Sequence, residues 1–320
     1  MRRDKDMIKQ ETKAFKSSDG ITDIHVVVWY PDEEKYKEPL GVIQISHGMI
    51  DHIERFSALA EYMADRGFVV AGNDHLGHGD SVVSKNKWGY FSKKDSSHNV
   101  VNDLYHLTKI MKKKYPGLPY ILVGHSMGSF MARRYAIEHG SELTGLVILG
   151  TGNQPSVMVH GGLAAAYLVG FIKGDEYRST FLKYLMFGSY NKRIANQRTD
   201  NDWITSDETI VDEYNADPKC SYTFTVNGIK GLLSTIKFIK KKSNIAKIPR
   251  NLPVIMASGL EDPVGGYGRD VKKLYKLYTK YIDDVELRLY EDCRHELHSE
   301  KNKEEIFKDL YRWINNKIRG

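Results

Sequence analysis

A serine hydroxyl becomes a useful nucleophile only when a base takes its proton and a third group holds that base in one tautomer. Gly124-His125-Ser126-Met127-Gly128 is where this chain could present such a serine. The G-x-S-x-G spacing lets a strained turn lift Ser126 above a sheet, provided a buried strand precedes it and a helix follows. The flanks carry both signals. Tyr120-Ile121-Leu122-Val123 is a short apolar run suited to a strand buried on both faces. Met127–His139 sets Phe130, Met131, Ala132, Tyr135 and Ala136 at helical spacing, with Gly140 at the C-cap. An ordinary glycine-rich strand-to-helix turn would share the pentapeptide but not the partners downstream.

Those partners should follow in the order serine, acid, histidine, in loops just past strand ends. Asp262 comes directly after the apolar run 253–259, and Pro263 stiffens its loop. Glu261, Asp270 and Asp292 are competing acids. His295 follows the alternating run 285–290, and His298 is the alternative base three residues on. A developing oxyanion needs two backbone donors. Met127 offers one at the start of its helix, where amides are unpaired and the dipole favours negative charge. Met49 offers the other from the loop after an earlier strand, with Gly48 allowing close approach; a core methionine in a turn would read the same way. His125, beside the nucleophile, is a candidate substrate contact.

The elements that must position these groups are legible in order. Residues 9–16 and 21–30 read as two strands joined at Ser17-Ser18-Asp19-Gly20, a hairpin signal. Ile24, Val26 and Val28 lie on one face of the second. Residues 42–46 form the next strand, followed by a helix over about 55–66 and a strand over 68–71. A helix over about 98–115, the elbow, and the strand 146–149 come next. After residue 253 the alternation resumes: strand, helix over about 269–281, strand, and a terminal helix over about 303–317. Strands alternating with helices predict an α/β fold with a mostly parallel sheet covered on both faces.

Between them, residues 152–251 break the pattern. A segment this long reads as an inserted helical cap on a core made of 1–151 and 252–320, the alternative being extra scaffold helices. Residues 163–172 and 181–187 place apolar side chains nearly all around their helices, which suits burial or an apolar partner. The expectation is that Leu168 and Phe171 line an acyl site, and that the cap touches a membrane or micelle surface in passing.

Composition narrows the class. The 320 residues are 41% hydrophobic and 28% charged, ordinary for a globular chain, with a net charge of +6. Lysines cluster at 112–114 and 240–242; such runs are usually solvated faces and at most favour anionic surfaces such as phospholipid. No basic-aromatic interleaving suggests nucleic acid. Cys220 and Cys293 form no framework for disulfides or zinc. Residues 1–6 are charged and lead into no apolar segment, and the apolar run 163–172 is too short to span a bilayer. The reading is a soluble, cytoplasmic protein; oligomeric state is not legible.

Four blocks carry a family resemblance: His47-Gly48-Met49-Ile50-Asp51-His52-Ile53-Glu54-Arg55-Phe56, residues 74–81, the elbow, and Asp262-Pro263-Val264-Gly265 with Arg294-His295-Glu296. The chain resembles the monoacylglycerol lipase and lysophospholipase branch of the α/β-hydrolases, grouped with serine aminopeptidase-like hydrolases. That resemblance implies Ser126, Asp262 and His295 as the triad, Met49 and Met127 as oxyanion donors, and no metal or organic cofactor. It departs from the family pattern at Asp51, Phe56 and Leu76, where glutamate, tyrosine and arginine are usual. The implied activity is hydrolysis of a small or lipid-like carboxylic ester through an acyl-enzyme. An aminopeptidase would need an acidic pair in the cap, for which Asp200, Asp202, Asp207 and Glu208 are available. A non-catalytic binding member would have lost the serine or the histidine, and this chain keeps both.

Overall fold

The computed structural model describes residues 8–319. The charged segment 1–6, read from the sequence as leading into no apolar segment, lies outside the described residues. In chain order the elements are β1 (Lys9–Lys16), β2 (Asp23–Tyr30), β3 (Gly41–Ser46), α1 (Ser57–Ala64), β4 (Phe68–Asn73) and α2 (Ser96–Lys114). There follow β5 (Tyr120–His125), α3 (Met127–His139), β6 (Gly145–Leu149), α4 (Ser156–Lys173), α5 (Thr180–Phe187), α6 (Glu208–Ala216), α7 (Val226–Ile239) and the short α8 (Lys242–Ile245). The chain closes with β7 (Val254–Gly259), α9 (Arg269–Tyr278), β8 (Val285–Tyr290) and α10 (Lys303–Arg319).

The strands make one sheet in the order β1-β2-β4-β3-β5-β6-β7-β8. The first two pairings, β1 with β2 and β2 with β4, are antiparallel; the rest are parallel. The hairpin turn forms as expected: Asp19 Oδ1 accepts from the Ile21 and Thr22 amides, and Gly20 takes φ 78°. The period-2 pattern of β2 divides its residues between the two faces. Ile24, Val26 and Val28 join one apolar cluster, Val27 and Trp29 the other. β5 does the same, sending Tyr120 and Leu122 one way and Ile121 and Val123 the other. Each such buried side chain contributes about 1.5–3 kcal/mol relative to exposure. Helices α1 and α10 cover one face, while α2, α3 and α9 cover the other, with α7 packed outside α2 and α3.

Two local departures have physical causes. The expected helix at 55–66 begins as a 3-10 turn, Ile53–Phe56, because Asp74 Oδ1 captures the Ile53 amide at 2.8 Å and anchors the chain before α1 starts. The apolar run 163–172 sits inside a longer helix. α4 spans 18 residues with mean hydropathy 1.4, long and apolar enough by composition to cross a membrane, although only 17% of it is buried. The insertion between β6 and β7 is not uniform. α7 packs on α2 and α3, which themselves lie on the sheet, whereas α4 and α5 stand further out, with α4 resting on α7.

Candidate active site

The elbow explains why glycine stands on both sides of Ser126. At the end of β5 the chain turns into α3 within one residue, and Ser126 takes φ 52° and ψ −117°. For a non-glycine residue that conformation costs about 1–3 kcal/mol. It persists because its surroundings leave no alternative. A Cβ on Gly128 would come within 2.0 Å of the Ser46 carbonyl oxygen, and one on Gly124 within 2.5 Å of the Gly128 carbonyl oxygen. The strained peptide is held by hydrogen bonds: the Ser126 amide donates to Leu149 O at 3.0 Å, and Ser126 O accepts from the Ser129 amide at 2.9 Å.

The two loops opposite deliver the partners. β7 ends at Gly259, where a Cβ would meet the Cys293 carbonyl oxygen at 2.0 Å, so the loops after β7 and β8 are pressed together. This brings Asp262 Oδ1 to 3.0 Å from His295 Nδ1, and His295 Nε2 to 2.8 Å from Ser126 Oγ. Asp262 is fully buried, with Oδ1 also accepting from the Val264 amide and Oδ2 from Ser258 Oγ. A carboxylate can only accept, so His295 carries its proton on Nδ1 and leaves Nε2 to accept from Ser126. Glu261 is exposed, and Asp270 pairs with Arg269 and Lys273. His298 is buried, stacked on Phe56 with centroids 4.0 Å apart, and neither of its ring nitrogens finds a hydrogen-bond partner. Burial holds it well below the usual histidine pKa. Phe56 therefore serves as the face against which that ring packs.

The loop after β3 is built by histidines and one ion-paired carboxylate. His47 Nδ1–H donates to Gly48 O, and its Nε2 accepts from the His75 amide at 2.8 Å. Burial lowers His75 to about 3 and His78 to about 4, so this packing is uncharged at neutral pH. Asp51 accepts from the Gly48 and His52 amides and from Arg55 at 2.9 Å. Burial opposes its ionisation, but Arg55 and the histidines around it together outweigh that and hold the carboxyl well below the usual range. Arg55 also takes Glu296 in a two-pronged contact of 2.9 and 2.5 Å. One guanidinium thus ties the Gly48-Met49 turn to the residue after His295. Among the described residues the amides of Met49 and Met127 donate to no protein acceptor, as two oxyanion donors must. Asp51, Arg55 and Glu296 lie inside the family-like blocks, but only the fold reveals that they bond to one another.

Above these groups lies a cavity of about 1500 Å³. Met127, Phe130, Val159, Leu182, Ile229 and Leu232 give it an apolar wall, and Ser126, His295, His125 and Met49 line its floor. His125 is buried and donates to the His295 carbonyl at 3.3 Å, so it props the His295 loop more than it faces solvent. Leu168 and Phe171 are a correction. They are 61% and 90% exposed and do not line the cavity; α4 turns Val159 and Leu163 inward and these two out. The acidic pair of the aminopeptidase reading does not form either. Asp200 reaches the cavity, but Asp202 is used up in the 198–202 turn, Asp207 caps α6, and Glu208 pairs with exposed Arg198. Lys240, expected on a solvated face, instead lines the cavity.

Two groups of side chains bring metal-ligand atoms within 4.8 Å of one another: His52, Asp217 and Cys220, and His25, Asp74 and Asp80. Their carboxylates are already occupied, Asp217 by His52 Nε2–H at 2.8 Å and Asp80 by Lys219 at 2.7 Å. With Tyr214 Oη donating to Ile50 O, they read as contacts that fasten the insertion to the Gly48–His52 loop.

The family described as serine aminopeptidase, S33, matches residues 37–302. The chain is 26% identical to a monoacylglycerol lipase of Mycolicibacterium smegmatis, covering 95% of this chain and 97% of that one. It is 27% identical to the human monoglyceride lipase over 86% of this chain and 82% of the relative. Among solved structures, a thermostable carboxyl esterase from Bacillus coagulans in complex with glycerol superposes with a TM-score of 0.89 at 28% identity. That superposition covers 98% of this chain and all of the other. The architecture is the α/β-hydrolase fold.

Proposed function

The chain belongs to the serine aminopeptidase (S33) family of hydrolases, and from that premise we propose that it cleaves lipid-like carboxylic esters, monoacylglycerols or lysophospholipids among them, through an acyl-enzyme on Ser126. The observation that carries this reading is the unbroken relay from Asp262 through His295 to Ser126 at the floor of an apolar cavity. Ser126 Oγ attacks the ester carbonyl as its proton passes to His295 Nε2, and the Met49 and Met127 amides receive the oxyanion. Collapse of the tetrahedral intermediate expels the alcohol, which takes the proton from His295. A water, deprotonated by the same nitrogen, then releases the acid and restores Ser126. Monoglyceride lipase and esterase relatives favour an ester over an amide, as does a cavity rim carrying Lys183, Lys192, Arg193 and Lys240 instead of an acidic pair.

The test is a panel of p-nitrophenyl esters from acetate upward, with monoacylglycerol and an aminoacyl anilide beside them. Turnover should rise with acyl length, each added methylene in the apolar wall gaining roughly fourfold, from about 0.8 kcal/mol per buried methylene. The anilide should be the poorest substrate of the panel. An anilide turned over faster than every ester overturns the reading.

The outward face of the insertion belongs to the same proposal. Val157, Met158, Tyr167, Phe171 and Ile172 of α4 and Tyr184 of α5 are more than half exposed, and Met158, Tyr184 and Leu185 continue into the cavity rim. An apolar patch continuous with the entrance, with Lys173 and Lys183 beside it, suits the surface of a lipid aggregate. Replacing Leu168 and Phe171 by serine should lower the ratio of turnover on vesicle-borne ester to turnover on dissolved ester several-fold, since about 0.8 kcal/mol is lost per buried methylene. An unchanged ratio excludes lipid contact at this face.

A further inference from the structure

We infer that the polar end of the cavity, formed by Asn153, Gln154 and Lys240 over the buried Arg133, is a subsite for an anionic group on the substrate, so that the preferred esters carry a carboxylate or a phosphate. The inference rests on the ester-hydrolase reading and adds a substrate class to it.

Arg133 is the starting point. It lies on α3, only 1% exposed, six residues beyond Met127 and so about 9 Å further along the helix axis. A guanidinium stays charged whatever its surroundings, and buried charges are nearly always paired. This one is not. Its donors go to Tyr278 Oη at 3.1 Å, Gly152 O at 3.1 Å and Thr151 Oγ1 at 3.4 Å, all neutral, and no ion pair among the described residues includes it.

Lys240 adds a second cation at the same place. It lines the cavity, is half-buried, and donates to Asn153 Oδ1 at 3.1 Å; it also enters no ion pair among the described residues. Burial first, and then the charge of Arg133, pull its pKa below the ordinary lysine value, the signature of an ammonium lacking a counter-ion. Asp270, which also lines the cavity and partly offsets that pull, makes no ion pair with Lys240 and is shared instead by Arg269 at 3.1 Å and Lys273 at 3.3 Å. Two neutral donors complete the site. The amide nitrogens of Asn153 and Gln154 donate to no protein acceptor among the described residues, Gln154 Oε1 is likewise buried without a partner so that its amide is free to turn either end inward, and both residues line the cavity. Low-dielectric walls focus the field of the two cations into the cavity, and a group of opposite charge there gains charge-assisted hydrogen bonds.

An anionic group could reach this subsite from either side of the scissile bond: a carboxylate ending a short acyl chain, or a phosphate on the alcohol. Two matched pairs separate the sources. The first is the p-nitrophenyl monoester of glutaric acid against p-nitrophenyl pentanoate; the second is an acylglycerol phosphate against the acylglycerol with the same chain. In wild-type protein the anionic member of at least one pair should have the higher kcat/KM by about tenfold, an advantage that shrinks with added salt. Lys240→Met should erase that advantage and Lys240→Arg should retain it. Should the methionine variant fail to fold, Asn153→Ala serves in its place and should reduce the advantage. Good turnover of the neutral members with no anionic advantage in either pair overturns this inference alone. An advantage that survives in Lys240→Met does the same. Turnover of no ester at all overturns the underlying reading, and this inference with it.

Discussion

Ser126→Ala should lower ester turnover by about 10⁶-fold, the loss seen when a serine nucleophile is removed from a complete triad. The fold should survive, because the hydroxyl forms one hydrogen bond, to His295, while the backbone of residue 126 keeps its bonds to Leu149 and Ser129. Alanine does not relieve the strain, since its Cβ meets the same obstacle at φ 52°. Glycine does. Ser126→Gly should be equally inactive yet more stable than wild type by about 1 kcal/mol, which for a chain of this size raises Tm by roughly 2 °C. Fluorophosphonate labelling followed by peptide mapping, together with a thermal melt of each variant, reads out both effects. A label on another residue, or turnover by the alanine variant near that of wild type, removes Ser126 from the mechanism. A glycine variant less stable than wild type would show that the turn is not strained.

The second large effect separates two histidines and tests the acid. His295→Ala should match the nucleophile variant, because without a base the Ser126 proton has nowhere to go. Asp262→Asn should cost about 10⁴-fold. An asparagine oxygen can still accept, but its amide group can also donate to Nδ1, which favours the tautomer with the proton on Nε2, where the serine proton must arrive. His298→Ala acts differently. That ring packs on Phe56 and His125 and has no polar partner among the described residues, so its loss leaves a cavity and lowers Tm while turnover stays within about tenfold of wild type. If the His298 variant is dead while the His295 variant turns over ester, the base has been assigned to the wrong residue.

Gly124-His125-Ser126-Met127-Gly128 shows how local information suffices for the strand-to-helix turn that presents Ser126. A buried run, two obligatory glycines and a helical pattern all fall within about twenty residues, and each is a short-range signal. The meeting of Asp262 and His295 was readable for a related reason. In a parallel sheet every strand points the same way, so residues just past strand ends gather at one edge however far apart they lie in sequence. Asp262 and His295 are 33 positions apart, yet β7 and β8 run side by side, which made strand ends a sufficient guide.

Other features depended on which side of a helix meets which neighbour. α4 is apolar on nearly every side, so its sequence has little preferred direction, and the packing alone decides that Val159 and Leu163 turn in while Leu168 and Phe171 turn out. Asp51, Arg55 and Glu296 stood in the recognised blocks, but a bridge over 241 positions carries no sequence period. Lys240 belongs to a basic run of the kind that normally faces water, and the packing of α7 against α2, α3 and α4 turns it into the cavity. The amino-acid sequence by itself determined the layers of the fold and the three groups of the relay, because hydrophobic period and strand-end position are encoded within single elements. The tertiary structure alone decided the shape and charge of the cavity, the bracing of its floor and the outward face of the insertion. Those depend on contacts between elements, whose partners no local pattern specifies.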